Sequence, residues 1–298
     1  MRNNTSSQTA FWVCFYRALA TKSQISAILP DPIAEHFLPQ PLRWLAQRRF
    51  MATLFKRLIS KHPNTHRSSQ ILLRQRFAED ALAKSVAEQG VTQYIILGAG
   101  LDSFSVRKPA LVAQLQVFEL DHPATQAAKR RLLSQSGQPL PEQVHFVAID
   151  FENERISERL LASNFDPNQK TYITWMGVSY YLHENTFWDV LAELTKTCRA
   201  GYVICFDYAR KPNYKQLPLK KARFTRYFWR FVHIGMRIIG EPFRTLFHTE
   251  HLHEQLKREG FTVNDDLSVA DFATQLRPEE RGVFKPAGHT RIALASHP

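Results

Sequence analysis

Gly98-Ala99-Gly100 follows directly on the apolar run Tyr94-Ile95-Ile96-Leu97, and two further apolar runs close on acids, Glu119 and Asp121 after the second and Asp150 after the third. Paired glycines let a backbone turn tightly and come close to a bound molecule, because neither carries a Cβ. A carboxylate at the end of the second run can accept both hydrogen bonds of a vicinal diol, a two-pronged and charge-assisted contact. Asp150-Phe151 suits a heteroaromatic base, the carboxylate taking an exocyclic amine while a backbone amide meets a ring nitrogen. Each piece also has a plain structural reading, a turn for the glycines and helix caps for the acids. Taken together the three describe a nucleoside site. An NAD fingerprint would put its third glycine at position 103, where the chain has Ser103, and this counts against a dinucleotide.

For these residues to converge they must lie along one edge of one sheet. Apolar runs at 94–97, 116–120, 144–148, 172–175 and 202–206 alternate with helical patterns near 123–133, 154–161 and 184–197. The alternation predicts an α/β fold with a parallel, doubly wound sheet, whose ligands sit at the carboxyl ends of its strands. A helix at 250–259 and two more strands, 261–263 and 291–295, predict a seven-stranded sheet with a hairpin-like ending. Ahead of the sheet, helices are expected at 9–20, at 41–60, and from Ser68 or Ser69 to Gln89. Residues 1–90 read as an N-terminal helical cap and 91–298 as the core, with a basic insert at 209–247 after the fifth strand.

The 298 residues suffice for one large domain, or one domain with a helical appendage, and a 44% hydrophobic content marks a globular chain. Cys14, Cys198 and Cys205 form no CxxC pair, so neither a disulfide framework nor a zinc site is expected, and a cytoplasmic location fits. No run reaches the ~20 apolar residues of a membrane span. Residues 10–19 are apolar enough to suggest a signal segment, but Arg17 interrupts them.

The net charge of +12 is concentrated in two stretches. Between residues 36 and 78 there are nine cations and no acid; between 209 and 247, ten cations face only Glu241; the remainder sums to about −6. In the first stretch Leu42, Leu45, Leu54 and Leu58 recur at helical spacing among arginines. That pattern fits a cap helix with a solvated basic face, or an interfacial helix touching anionic lipid. In the second, Phe224, Tyr227, Phe228, Trp229 and Phe231 interleave with Arg223, Arg226 and Arg230. Such mixing fits a helical lid, an apolar pocket with a cationic rim, or nucleic-acid stacking. His248, His251 and His253 read as the polar start of a helix, and no metal site is expected.

The runs ILGAGLDSFSVRKP, VFELDHPATQAAKRRLL, AIDFE and TWMGVSYYL resemble the class I S-adenosylmethionine-dependent methyltransferases of the leucine carboxyl methyltransferase type. The similarity is strongest to their bacterial O-methyltransferase branch. It extends from about Thr9 to the C-terminus and includes LLRQRFAEDAL before the first strand and GEPFRTLF before the last helix. The resemblance implies a Rossmann-like methyltransferase sheet with S-adenosyl-L-methionine as cofactor. It implies that Gly98 and Gly100 line the cofactor, that Asp121 holds its ribose, and that Asp150 with Phe151 holds its adenine. An upstream arginine, Arg74 first and Arg76 second, would pair with the methionine carboxylate, to which a planar guanidinium is matched. One position departs from the pattern: members related to the protein-methylating enzymes carry a glutamate where this chain has Met176, so backbone groups or Tyr180 and Tyr181 would make that cofactor contact.

A sulfonium is already an activated leaving group, so holding a nucleophile in line and excluding water supplies much of the acceleration. A carboxylate acceptor needs no base, whereas an alcohol or phenol does. Tyr180, Tyr181, His183, Asp207 and Tyr208 are the nearby candidates, and none is assigned as catalytic. The expectation is O-methylation, of a carboxylate among other oxygens, on a small anionic or partly apolar molecule. The competing expectations are an RNA-binding or RNA-modifying protein using the basic insert, and a peripheral membrane protein.

Overall fold

The computed structural model describes residues 8–23, 27–61, 69–151, 153–211, 244–281 and 290–298. Residues 212–243, most of the basic insert with Arg223, Arg226 and Arg230, lie outside the described residues. The N-terminal helices are α1 (Gln8–Lys22), α2 (Gln40–Ala46), α3 (Arg49–Lys61) and α4 (Ser69–Gln89), with a 3-10 turn at Ala34–Phe37 between α1 and α2. The core then runs β1 (Gln93–Leu97), α5 (Phe104–Arg107), α6 (Pro109–Val112), β2 (Gln116–Asp121), α7 (Pro123–Ser136) and β3 (Val144–Ala148). It continues with α8 (Ile156–Leu161), β4 (Thr171–Trp175), α9 (Glu184–Thr197) and β5 (Tyr202–Ala209). After the insert come α10 (Thr249–Arg258), β6 (Thr262–Ser268), the short helices Val269–Gln275 and Pro278–Arg281, and β7 (Thr290–His297).

The seven strands form one sheet in the order β3-β2-β1-β4-β5-β7-β6. β1 to β5 pair in parallel, and β7 runs antiparallel between β5 and β6. The order reverses between β1 and β4, and a doubly wound sheet opens its ligand crevice at such a reversal. β1 and β4 are buried along their whole length, which is why they read as unbroken apolar runs.

Strand alternation splits the core into two layers. Tyr94 and Ile96 face the side covered by Leu72, Leu73, Phe77 and Leu82 of α4. Ile95 and Leu97 face the side covered by Ile156 and Leu160 of α8 and Phe187, Leu191 and Leu194 of α9. A third cluster joins α1, through Cys14, Phe15, Ala18 and Leu19, to Leu101 just beyond the glycine turn and to Leu132 and Leu133 of α7. The N-terminal helices are thus packed against the edge of the sheet where the glycine turn emerges.

The single helix expected at 41–60 is two helices. The hydrogen-bond ladder slips at Gln47-Arg48, where the Arg48 amide donates to Leu45 O at 3.2 Å and the Met51 amide to Arg48 O at 3.0 Å. No proline or glycine causes the break. Arg43 donates to the carbonyls of Glu35 and His36, tying α2 to the 3-10 turn, while Phe55 of α3 packs edge-on against Tyr16 of α1. The two halves follow different neighbours, and tertiary contact overrides the continuous helical pattern.

Candidate functional site

A cavity of about 430 Å³ opens at the carboxyl ends of β1, β2 and β4. Arg74, Gly98, Gly100, Asp121, Asp150 and Phe151 all line it, and so do Met176, Tyr180 and Tyr181. Residues from seven separate stretches of sequence are brought together there.

Gly98 has φ +67°, and a Cβ on it would lie 2.6 Å from Val178 Cγ2. Only glycine fits both that backbone and the space beside it. Gly100 has φ +51°, and its amide donates to the Asp121 carboxylate. The His122 amide donates to the other Asp121 oxygen at 2.6 Å. Burial raises the pKa of Asp121 above the ordinary aspartate value of 3.8, and the amides of Gly100 and His122 and the charge of Lys129 oppose that rise. Glu119, two residues earlier, points elsewhere: it is buried against Lys129 and Ser105.

Asp150 is fixed by a tight turn. Its amide donates to Glu154 at 2.8 Å, Asn153 Nδ2 donates to its carboxylate at 2.8 Å, and its carbonyl accepts the amides of Asn153 and Glu154. It does not cap α8, whose N-cap is Arg155. The plain structural reading of Asp150 is therefore a local turn rather than a helix cap.

The two upstream arginines part ways. Arg76 turns to Asp80, Glu280 and the carbonyl of Ile28. Arg74 reaches the cavity wall, where its Nη1 donates to Asp207 Oδ2 at 2.7 Å and to Tyr180 Oη at 3.0 Å. The Asp207 side chain is fully buried, and its second oxygen accepts the Gly177 amide at 2.6 Å. Burial, the largest influence on Arg74, works against its charge, but Asp207 and Tyr180 together hold its pKa above the usual arginine value. Asp207 thus anchors the guanidinium through Nη1, and the group lies against Gly177, where a Cβ would come 2.8 Å from Nη2. Of the remaining candidates for a base, Tyr180 and Tyr181 line the cavity, while His183 and Tyr208 are not among its lining residues. Tyr208 is bonded to Asp266 and Thr249, and the same Asp266 holds His253 at 2.5 Å.

Sequence reasoning passed over Arg17. It lines the cavity from α1 and is buried, with Nη2 2.7 Å from Asp31 and 2.9 Å from Ser103 Oγ. Ser103 in turn donates to Asp31 at 2.8 Å and accepts from Arg107 at 3.1 Å. The residue at the missing third-glycine position therefore clamps α1 to the glycine turn. A lone arginine inside an apolar helix was the available signal, since a buried charge must be paired.

The donor set fits a nucleoside joined to an amino acid: a buried carboxylate, a second acid beside an aromatic ring, glycines that bring the backbone close, and a guanidinium at the cavity wall. Residues 10–195 match the family model described as leucine carboxyl methyltransferase. The chain is 30% identical over 285 residues, 91% of each chain, to "Putative S-adenosyl-L-methionine-dependent methyltransferase YktD" of Bacillus subtilis (strain 168). A crystal structure of a "putative methyltransferase" from Thermobifida fusca YX aligns with a TM-score of 0.57 at 13% identity, covering 99% of this chain and 96% of that one. A DUF574 family protein from Streptomyces avermitilis aligns with a TM-score of 0.57 at 14% identity over 83% of this chain and 91% of its own. At those identities the two structures establish the fold, and the sequence matches establish the family. The chain belongs to the leucine carboxyl methyltransferase family of S-adenosylmethionine-dependent methyltransferases.

Proposed function

We propose that the enzyme methylates an oxygen, a carboxylate foremost, of a small anionic and partly apolar molecule. The observation that carries this reading is the gathering of Arg74, Gly98, Gly100, Asp121, Asp150 and Phe151 around one cavity. In this reading Asp121 accepts from the ribose hydroxyls, Asp150 and Phe151 hold the adenine, Gly98 and Gly100 admit the cofactor to the backbone, and Arg74 pairs with the methionine carboxylate. When bound, S-adenosylmethionine supplies a methyl group on a positively charged sulfur. The protein's part is to position the acceptor and keep water out.

The family takes its name from a carboxyl acceptor, and an acceptor already ionised at neutral pH needs no base. Arg244, at the end of the basic insert, lines the cavity beside Tyr180 and would attract an anion. Met176 supplies no carboxylate for the methionine ammonium, so backbone carbonyls and the Tyr180 and Tyr181 hydroxyls take that role. It also separates this chain from the family's protein-methylating members, which favours a small acceptor.

The test is incubation with methyl-labelled S-adenosylmethionine and a cell extract, followed by separation of small-molecule, lipid, protein and RNA fractions. Label in the small-molecule or lipid fraction that mild base releases as methanol supports a carboxyl ester. Label confined to RNA, or resistant to base, refutes the carboxylate reading.

A further inference from the structure

The apolar residues that the fold leaves uncovered are concentrated on one face. Among the described residues seven large hydrophobic side chains are exposed, and five of them, Trp12, Trp44, Phe50, Leu54 and Leu58, lie on α1, α2 and α3. Phe50, Leu54 and Leu58 are spaced four apart and make one edge of α3. Met51 and Phe55, on the adjoining edge, turn toward α1, and together with Leu54 and Leu58 of α3 and Trp12 and Tyr16 of α1 they line an apolar cavity of about 300 Å³ between the two helices. The other side of α3 is cationic: Arg49, Lys56 and Arg57 are exposed, as is Arg48, which stacks on Trp44 at 4.1 Å. None of these four is in an ion pair among the described residues, and no acid occurs between residues 36 and 78.

We propose that the α1–α2–α3 face docks in the plane of an anionic lipid surface. Charge decides the occupant. A second copy of this chain would bring the same unpaired cations against these, and the basic insert at 209–247 carries the same sign. RNA would satisfy the charge but offers nothing to the leucines of α3, which present no plane for base stacking. An anionic membrane satisfies both halves: apolar side chains enter the acyl boundary, exposed tryptophans sit at headgroup level, and arginines and lysines meet lipid phosphates. α1 connects this face to the cofactor cavity, since Ala10, Val13 and Arg17 line that cavity while Trp12, Phe15 and Tyr16 line the apolar one. An amphiphilic acceptor could then be drawn from the membrane. The docking itself does not depend on the methylation reading and is measured without it.

The test is co-sedimentation of the full chain with vesicles of phosphatidylcholine alone and of phosphatidylcholine mixed with phosphatidylglycerol. Binding to the mixed vesicles should exceed binding to phosphatidylcholine alone by about tenfold or more, and should fall by roughly fivefold for each of Arg49, Lys56 and Arg57 changed to glutamine. Leu54→Glu should abolish binding, and Phe50→Glu, at a residue 58% exposed and outside the α1–α3 cavity, should do the same while unfolding at the wild-type temperature. Tryptophan emission should shift to the blue with the mixed vesicles and lose that shift in a Trp12→Phe, Trp44→Phe variant. Equal binding to both vesicle types, no binding, or binding unchanged by Leu54→Glu would overturn the proposal. So would a stable dimer, seen by sedimentation velocity, that Leu54→Glu dissociates.

Discussion

Asp207 holds Arg74 from beneath the cavity, and removing either partner should reveal how the guanidinium is kept in place. The pair is 2.7 Å apart, with side-chain exposures of 11% for Arg74 and 0% for Asp207. Asp207→Asn keeps the volume but turns an uncharged amide toward the guanidinium. Stripping one member from a buried ion pair costs about 3–5 kcal/mol. At roughly 2 °C per kcal/mol for a chain of this size, the unfolding midpoint should drop by about 6–10 °C. Arg74→Leu should cost a similar amount, because it leaves a carboxylate buried without its partner. It should also weaken S-adenosylmethionine binding about ten- to a hundredfold through the lost charge-assisted hydrogen bond. The double variant Arg74→Leu, Asp207→Leu removes both charges and should recover most of the stability, apart from about 1–3 kcal/mol for the Gly177 amide that loses its acceptor. It should still bind the cofactor poorly. Thermal unfolding of wild type, Arg74→Leu, Asp207→Leu and the double variant gives the coupling energy, expected near 3 kcal/mol or above, and titration calorimetry gives the affinities. Single variants that melt within a degree of wild type, or a strictly additive double variant, would refute the reasoning.

Three further outcomes follow from the same geometry. Gly98→Ala should destabilise by about 2–5 kcal/mol, because it adds a clash with Val178 to the left-handed backbone penalty. Gly137→Ala, with φ +65° and nothing within 4 Å of its Cβ position, should cost only the backbone part of about 1–2 kcal/mol, and chemical denaturation separates the two. Arg76→Ala should leave cofactor affinity unchanged in calorimetry and lower stability by no more than about 1 kcal/mol, since its partners lie near the surface. The third concerns pH. Asp121 has a folded-state pKa above the ordinary 3.8, so it binds its proton more tightly folded than unfolded, and its contribution to stability declines as pH rises from that value through the folded pKa. Cofactor binding needs the anion and should run the opposite way, weakening as pH falls through the same window. Asp121→Asn should flatten both dependences in paired melting and binding series.

The parallel strands β1 to β4 were legible in the sequence because they are short apolar runs with no competing pattern. By contrast, β5 runs three residues past the expected 202–206 to Ala209, and β7 extends past 291–295 to Thr290–His297. β6, expected at 261–263, is Thr262–Ser268, whose Asn264, Asp265 and Asp266 hide it. β3 and α9 occur with the expected bounds, and β1, β2 and β4 differ at their ends by a residue. The helix at 41–60 was misread because its periodicity carries no mark of the break at Gln47-Arg48, which is set by what each half packs against. The short helices after β1 and β6 were missed because single turns have too few residues to show a period. In the site, glycines and strand-end acids announce themselves locally. The pairing of Arg74 with Asp207 does not, since 133 residues separate them. Arg17 was visible only as an anomaly in an apolar helix, and its partners, Asp31 and Ser103, come together only in the fold.

Equilibrium dialysis with radiolabelled S-adenosylmethionine, on the wild type and on Asp121→Ala, tests the site most directly. The account predicts one bound molecule per wild-type chain, not displaced by NAD, and a loss of at least about a hundredfold in affinity in the variant, from two charge-assisted hydrogen bonds. Displacement by NAD, or a variant that binds as the wild type does, would contradict it.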